Sequence, residues 1–301
     1  MPAIPSPLAS LHSRFPLVLL PAPLSTTPAP SPSQLWALGP PPTGHSESLD
    51  PLCRALQAWT RFAGVESGKV RWVDWDGVEA APGGSLPAVH TEEGDLLVGG
   101  DVDGWVRKQQ AKTEAGKGKR ASGAGSEFST PGLEESAAGA APVPDATHQA
   151  YTSLVETSLL PAVLAALYLS PSGTAPPVCP PRSKPLLSAL ADTLLSWNDR
   201  RDRIEEVKRL RGGKVGKGRV LDLEEVEREA AEAMEALEVK MKAKDGKGEW
   251  FGGASSPTKL DALVYALLSI VRILPPSCDT VLRPALERCP TLVDWVKRHD
   301  P

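Results

Sequence analysis

Long apolar runs are missing from this sequence. The two most apolar stretches, Ser158 to Leu169 and Leu260 to Leu274, fall short of the ~18 uninterrupted apolar residues that a membrane helix needs. Pro161 interrupts the first and Arg272 ends the second. Both predict buried core helices, and any membrane contact is expected to be peripheral or through a partner. Cysteine is scarce: Cys53, Cys179, Cys278 and Cys289 are the only four, scattered and without a C-x-x-C pair. That excludes a disulfide-stapled scaffold and reads as reduced thiols in a cytosolic setting. A dominant charge is also lacking. A formal net charge of -4 provides no field that would draw the chain to nucleic acid or anionic lipid. The first 33 residues have no charged start followed by an apolar region and cleavage site, which argues against a secretory signal. Their single Arg among many prolines is unlike a mitochondrial presequence.

What the chain has in abundance is proline, 31 residues, and glycine, 26, concentrated where little else can pack. Residues 1–33 are Pro/Ser/Ala-rich and predict a flexible tail with one apolar island, Phe15 to Leu20. Residues 34–110 alternate strand and helix signals. Residues 111–147, almost free of large apolar side chains, predict a disordered linker. Residues 148–301 predict an all-helical domain with a charged insertion over 198–249.

Within 34–110, Gln34 to Leu38 is a short apolar run that stops at Gly39 and three prolines, as a buried strand would. Asp50-Pro51 then opens a helix. Asp50 can accept an orphan N–H at the N-cap, and Pro51 has none to leave unpaired. Cys53, Leu56, Trp59 and Phe62 give it one apolar face, and Gly64 can take the left-handed terminal position. Val70 to Trp75 predicts a strand, and Gly84 to Val89 leads into another. The turn at Glu93-Gly94 and the run Leu96 to Val98 complete a hairpin. A short helix over 101–109 should follow, ending on Arg107 and Lys108. This order predicts a compact α/β unit.

In the second half, Tyr151 to Ala165 predicts a helix that Pro161 should kink unless another helix begins there, and Leu186 to Trp197 predicts another. Asp222 with Glu225 fits a capping box. The stripe Leu223, Val226, Ala230, Ala233, Leu237 and Met241 is narrow, which suggests a helix that projects or packs on one side only. Thr258-Lys259-Leu260-Asp261 is a second capping box, opening an apolar helix to Leu274, and a closing helix spans Leu292 to Arg298.

An α/β unit of this order followed by an all-helical half resembles the plan of glutathione transferases. Leu86-Pro87, before the third strand, resembles the cis-proline of thioredoxin-like folds. Thr258 and Asp261 resemble the Ser/Thr-x-x-Asp box of a buried helix in the transferase C-terminal half. The resemblance implies a thioredoxin-like α/β domain followed by an all-α transferase-like domain. Finer motifs are similar to the metaxin family. They are Leu35-Trp36-Ala37-Leu38-Gly39-Pro40, Leu49-Asp50-Pro51, Phe62-Ala63-Gly64-Val65 and Gly83-Gly84-Ser85-Leu86-Pro87-Ala88-Val89, continued by Trp250 to Thr258 and Leu282 to Leu292. Phe15-Pro16-Leu17-Val18 resembles the start of fungal metaxin-2-like subunits. That resemblance implies a non-catalytic, peripheral subunit on the cytosolic face of the mitochondrial outer membrane. It would act beside a β-barrel core subunit and a second metaxin-like subunit, in the import and insertion of β-barrel precursors.

The residues themselves argue against transferase chemistry. An active transferase needs a Ser, Cys or Tyr after the first strand to lower the glutathione thiol pKa. Here only Thr43 and Ser46 are near. Asp101 stands where a Glu/Gln-Ser pair would hold the glutamyl carboxylate, and would repel it. Cys53 reads as a small core residue. His12, His45, His90, His148 and His299 show no metal-ligand spacing, and Gly212-Gly213-Lys214-Val215-Gly216-Lys217 lacks the spacing and final hydroxyl of a phosphate loop. Two basic clusters, Lys112 to Arg120 and Lys208 to Arg219, read as solvated loops that could touch a lipid surface or an acidic partner. No enzyme activity, cofactor or metal is expected. The alternatives are a degenerate glutathione-dependent transferase and a transferase-like interaction module of another cytosolic assembly.

Overall fold

The computed structural model describes residues 32–39, 46–65, 70–73, 85–121, 146–169, 204–211, 221–243, 250–251, 256–274 and 281–301. Residues 1–31 of the expected tail, most of the expected linker, the helix expected over 186–197, the glycine-rich run 212–218 and Thr43 lie outside these residues. Four strands, β1 (Gln34–Leu38), β2 (Arg71–Val73), β3 (Ala88–His90) and β4 (Leu96–Val98), form one mixed sheet in the order β2-β1-β3-β4. β1 runs parallel to β2 and antiparallel to β3, and β3 runs antiparallel to β4. Gly39 continues the ladder by donating to Val73 O at 3.0 Å. A side chain there would run into the Trp72 ring, so the close approach requires glycine.

The first helix, α1 (Pro51–Phe62), forms as its termini predict. Asp50 accepts the Cys53 N–H at 2.8 Å, Pro51 sits in the first turn, and Gly64 takes φ 63 just past the end. Its inner face buries Cys53, Leu56 and Trp59. The next helix, α2 (Gly100–Ala121), corrects the expected short helix over 101–109. Residues 111–121, expected as linker, are helical. Ala, Lys, Glu and Arg are strong helix formers and outnumber Gly116 and Gly118 in this stretch, so an apolar face is not needed to extend a helix already nucleated on the sheet.

The long helix α3 (Ala146–Tyr168) resolves the Pro161 question without a break. Residues Val155–Leu159 form a π turn, in which the Leu160 N–H reaches back to Val155 O. The inserted residue shifts the register just before Pro161, where the proline ring would otherwise meet the carbonyl four residues back. Among the described residues this is the one helix long and apolar enough to cross a membrane, and 56% of its most apolar window is buried. Every residue from Leu160 to Tyr168 is buried in the protein.

A short helix at 204–210, α4, precedes α5 (Leu223–Lys242). The charged insertion expected over 198–249 therefore contains a core helix. α5 packs against the π turn, the end of α3 and both final helices. Its stripe is narrow but deep. Ala230 and Ala233 admit close neighbours, while Met234 and Leu237 are fully buried, each side chain contributing about 1.5–3 kcal/mol. Asp222 caps α5 through Glu224 N and Glu225 N, but the expected box is half-formed. The Glu225 carboxylate instead pairs with Arg211 at 3.4 Å, and Glu229 reaches the same guanidinium at 2.9 Å. Arg211, expected in a solvated basic cluster, is only 2% exposed.

The remaining helices are α6 (Lys259–Ile273), α7 (Leu282–Glu287) and α8 (Pro290–His299). α6 is the centre of the molecule: twelve of its residues are buried, and α1 lies along it, which joins the α/β domain to the helical one.

Candidate functional site

Between the two domains runs a cleft of about 680 Å³. One wall belongs to the α/β domain: Leu52, Leu56 and Trp59 of α1, the Ser85-Leu86-Pro87 approach to β3, and the start of α2 at Gly99, Gly100, Val102 and Asp103. The Leu86-Pro87 peptide bond is cis, as the resemblance to thioredoxin-like folds implies. Gly99 has φ 56, and a Cβ at Gly99 or Gly100 would meet nothing within 4 Å. The opposite wall is helical, with Glu156, Leu160 and Leu164 from α3, Glu206, Arg209 and Leu210 from α4, and Lys259 and Leu263 from α6.

The charge in this cleft sits differently from the sequence expectation. Asp101, expected at the glutamyl position, is exposed and is not among the lining residues; Asp103 is. At ~3.6 residues per turn, the face that carries Gly99 and Gly100 returns at 102 and 103, while 101 points away. Asp103 meets Lys259 at 2.5 Å across the domain boundary. The described lining residues carry four carboxylates, Asp50, Asp103, Glu156 and Glu206, against two cations, Arg209 and Lys259.

The capping box that positions Lys259 is present. Asp261 is wholly buried, and its Oδ2 accepts the Thr258 N–H at 2.8 Å and the Thr258 hydroxyl at 2.5 Å. In return, Thr258 Oγ1 lies 3.4 Å from Asp261 N, and Asp261 Oδ1 accepts the Phe251 N–H at 2.5 Å. Thus Thr258 and Asp261 are brought together as a structural anchor. Pro87 lies apart from them on the opposite wall of the cleft.

Cys53 packs behind the cleft with Ala37 and Leu38. Burial, and then the nearby Asp50 charge, push its thiol well above the ordinary range, which disfavours the thiolate. Ser46 is exposed. His90 is buried in β3, His148 lies 3.4 Å from the Thr258 hydroxyl, and His299 lies 2.8 Å from Trp295 O. Among the described residues no group of three metal-ligating side chains converges.

Sequence reasoning missed a second polar cluster, where α1 crosses α6. Glu47, 6% exposed, lies 3.2 Å from Arg54 Nε and 2.8 Å from an Arg61 guanidinium nitrogen. The Tyr265 hydroxyl is 3.2 Å from Glu47 and 3.1 Å from Asp300; its single proton serves one of them at a time. Burial, then the Glu47 charge, push the Tyr265 phenol up to about 12. Arg61 also lies over the Tyr265 ring, 5.0 Å from its centroid. The partners are far apart in the chain, so no local pattern signals them.

Comparison with known proteins bears on the fold. Residues 230–299 match the family described as Glutathione S-transferase, C-terminal domain. The chain is similar to the crystal structure of glutathione transferase GSTFuA2 from Phanerochaete chrysosporium, with 12% identity, 90% of this chain and 98% of that one covered, and a TM-score of 0.51. It is also similar to the beta-etherase LigF from Sphingobium sp. strain SYK-6, at 14% identity, 88% and 93% coverage, and a TM-score of 0.48. No curated protein matches the sequence. The chain has a glutathione-transferase-like fold: a small mixed sheet followed by a helical C-terminal domain.

Proposed function

We propose that this glutathione-transferase-like chain is a non-catalytic binding subunit. It acts at the cytosolic face of the mitochondrial outer membrane, beside a β-barrel core subunit and a second metaxin-like subunit, in the import and insertion of β-barrel precursors. The sequence motifs shared with metaxins support the location and partners, and several frame the cleft: Leu38, Asp50, Leu86 and Pro87 all line it.

The observation that carries the non-catalytic part is the charge of the cleft. Glutathione brings two carboxylates, and a site for it gains from cations and donor groups that favour the thiolate. Here the described lining has four carboxylates against two cations, and Lys259 is engaged by Asp103. Cys53 is buried with its thiol pushed up. Such a cleft disfavours an anionic tripeptide and a thiolate together.

Tagged protein isolated from mitochondria should bring down an outer-membrane β-barrel, resist loss on gentle washing, leave the membrane in alkali, and be destroyed by protease added to intact organelles. A wholly soluble pool, or protection until the outer membrane is ruptured, would overturn the assignment. A degenerate glutathione-dependent transferase is the second reading. The open cleft beside the cis Leu86-Pro87 bond favours it, and glutathione binding would distinguish it.

A further inference from the structure

We propose that the second half of α2, from Arg107 to Arg120, is a docking surface for the anionic headgroups of a phospholipid bilayer. This deepens the proposed function by naming the face that meets the membrane, and it rests on that reading only in choosing a bilayer over other polyanions.

The surface begins where the packing of α2 ends. Val102, Trp105 and Val106 bury its first turns in the core, and α1 ends beside Thr113, whose methyl would lie 3.8 Å from a Cβ at Gly64. The backbone helix nevertheless continues to Ala121, eight residues further or about 12 Å. From Arg107 onward it carries no apolar residue larger than alanine. Charge, not apolar surface, sets this part of the helix apart.

Residues 107–121 hold six cations, Arg107, Lys108, Lys112, Lys117, Lys119 and Arg120, against one carboxylate, Glu114. Six against one is a net +5 within fifteen residues, so a chain of formal net charge -4 carries -9 on all the rest. The modest total conceals a strongly positive pole. Arg107, Lys108 and Lys112 are exposed, and among the described residues none of the three makes an ion pair, whereas Arg54, Arg61, Arg211, Arg228 and Lys259 all do. The helical period brings positions 108, 112 and 119 onto one face. Like charges gathered on one rod repel each other, and contact with an anionic surface relieves that repulsion. A specific protein interface is centred on buried aromatic or aliphatic anchors, and this face has none. A bilayer requires no anchor: each lysine or arginine near an anionic leaflet adds its own increment of affinity. The acidic remainder of the chain then turns α2 toward the leaflet and itself away. Nucleic acid offers the same phosphate chemistry, and the proposed position at an outer membrane selects the bilayer.

The test is co-sedimentation of the full chain with vesicles of phosphatidylcholine and phosphatidylserine in equal parts, and with vesicles of phosphatidylcholine alone. We expect binding to the mixed vesicles, weakening with added salt, and none to the neutral ones. Each neutralised cation should lower partitioning about fivefold, so Lys112→Gln should show that loss, and Lys108→Gln combined with Lys112→Gln about its square. Both lysines are exposed and glutamine matches lysine in helix propensity, so these variants should keep the parent melting curve. Lys297→Gln, the same change on the exposed face of α8, should leave binding unchanged. Equal binding to both kinds of vesicle, binding to neither, or an equal loss in Lys297→Gln would overturn the inference. Duplex DNA that strips the protein from mixed vesicles at matched phosphate and ionic strength would overturn it in favour of nucleic acid. Mixed-vesicle binding by a chain absent from mitochondria would uphold the surface and overturn the proposed function. Mitochondrial attachment without vesicle binding would do the reverse, so the two failures are distinguishable.

Discussion

Glu238 and Leu292 are 54 residues apart in the chain, yet the Glu238 carboxylate accepts the Leu292 backbone N–H at 2.9 Å and the Thr291 N–H at 3.2 Å. A side chain of α5 thus caps the first turn of α8, where the sequence supplies Pro290 and no capping hydroxyl. The arrangement places a negative charge at the positive end of a helix dipole, inside the core.

Glu238→Ala should destabilise the protein by about 1–3 kcal/mol, because it leaves two helix-terminal N–H groups without their acceptor. Burial would raise the Glu238 pKa, but the hydrogen bonds from Thr291, Leu292 and Lys242 outweigh it and hold it below its ordinary value. A carboxylate held low contributes stability above its unfolded pKa and loses it as pH falls through the folded one. Denaturant melts of the wild type should therefore show stability declining below about pH 4.5. Glu238→Gln should flatten that part of the profile, and an unchanged profile would remove the cap from the account.

Asp261→Ala should cost more than an exposed cap, about 3 kcal/mol, since Asp261 is wholly buried and bonds both Thr258 and the Phe251 N–H. Asp261→Asn keeps an acceptor and should cost less. Urea titrations of both variants measure the difference. A loss under about 1 kcal/mol, the ordinary range for an exposed N-cap, would contradict the burial.

Tyr265 predicts behaviour at the alkaline end. With a folded pKa near 12 against an ordinary 10.0, it contributes stability that is fully present below pH 10 and is lost as pH rises through about 12. Thermal melts across that window should show the decline, and Tyr265→Phe should lessen it. Ultraviolet titration should find one of the three tyrosines ionising last, and that signal should vanish in Tyr265→Phe.

The sequence made local features plain. Asp50-Pro51, Gly64, the Leu96 to Val98 hairpin strand and the Thr258 to Asp261 box each depend on contacts within a few residues, so spacing alone reveals them. The burial of α5 is hidden because the charged residues of 223–242 surround its apolar stripe, although alanines and methionines of small or adaptable shape suit close helix packing. The end of α2 was hidden because propensity, not amphipathicity, extends it. At the cleft, Pro87 is legible in the sequence, whereas which of Asp101 and Asp103, about half a turn apart, faces it depends on where the helix starts. The Glu47 cluster, joining residues as distant as Glu47 and Tyr265, leaves no periodic trace.

Glutathione separates the proposed binding role of this transferase-like fold from catalysis. Calorimetry with millimolar glutathione, followed by a thiol-conjugation assay with an electrophile, should show neither saturable heat nor turnover. Saturable binding, with conjugation that is abolished by Thr43→Ala or Ser46→Ala, would contradict the account and establish a working transferase.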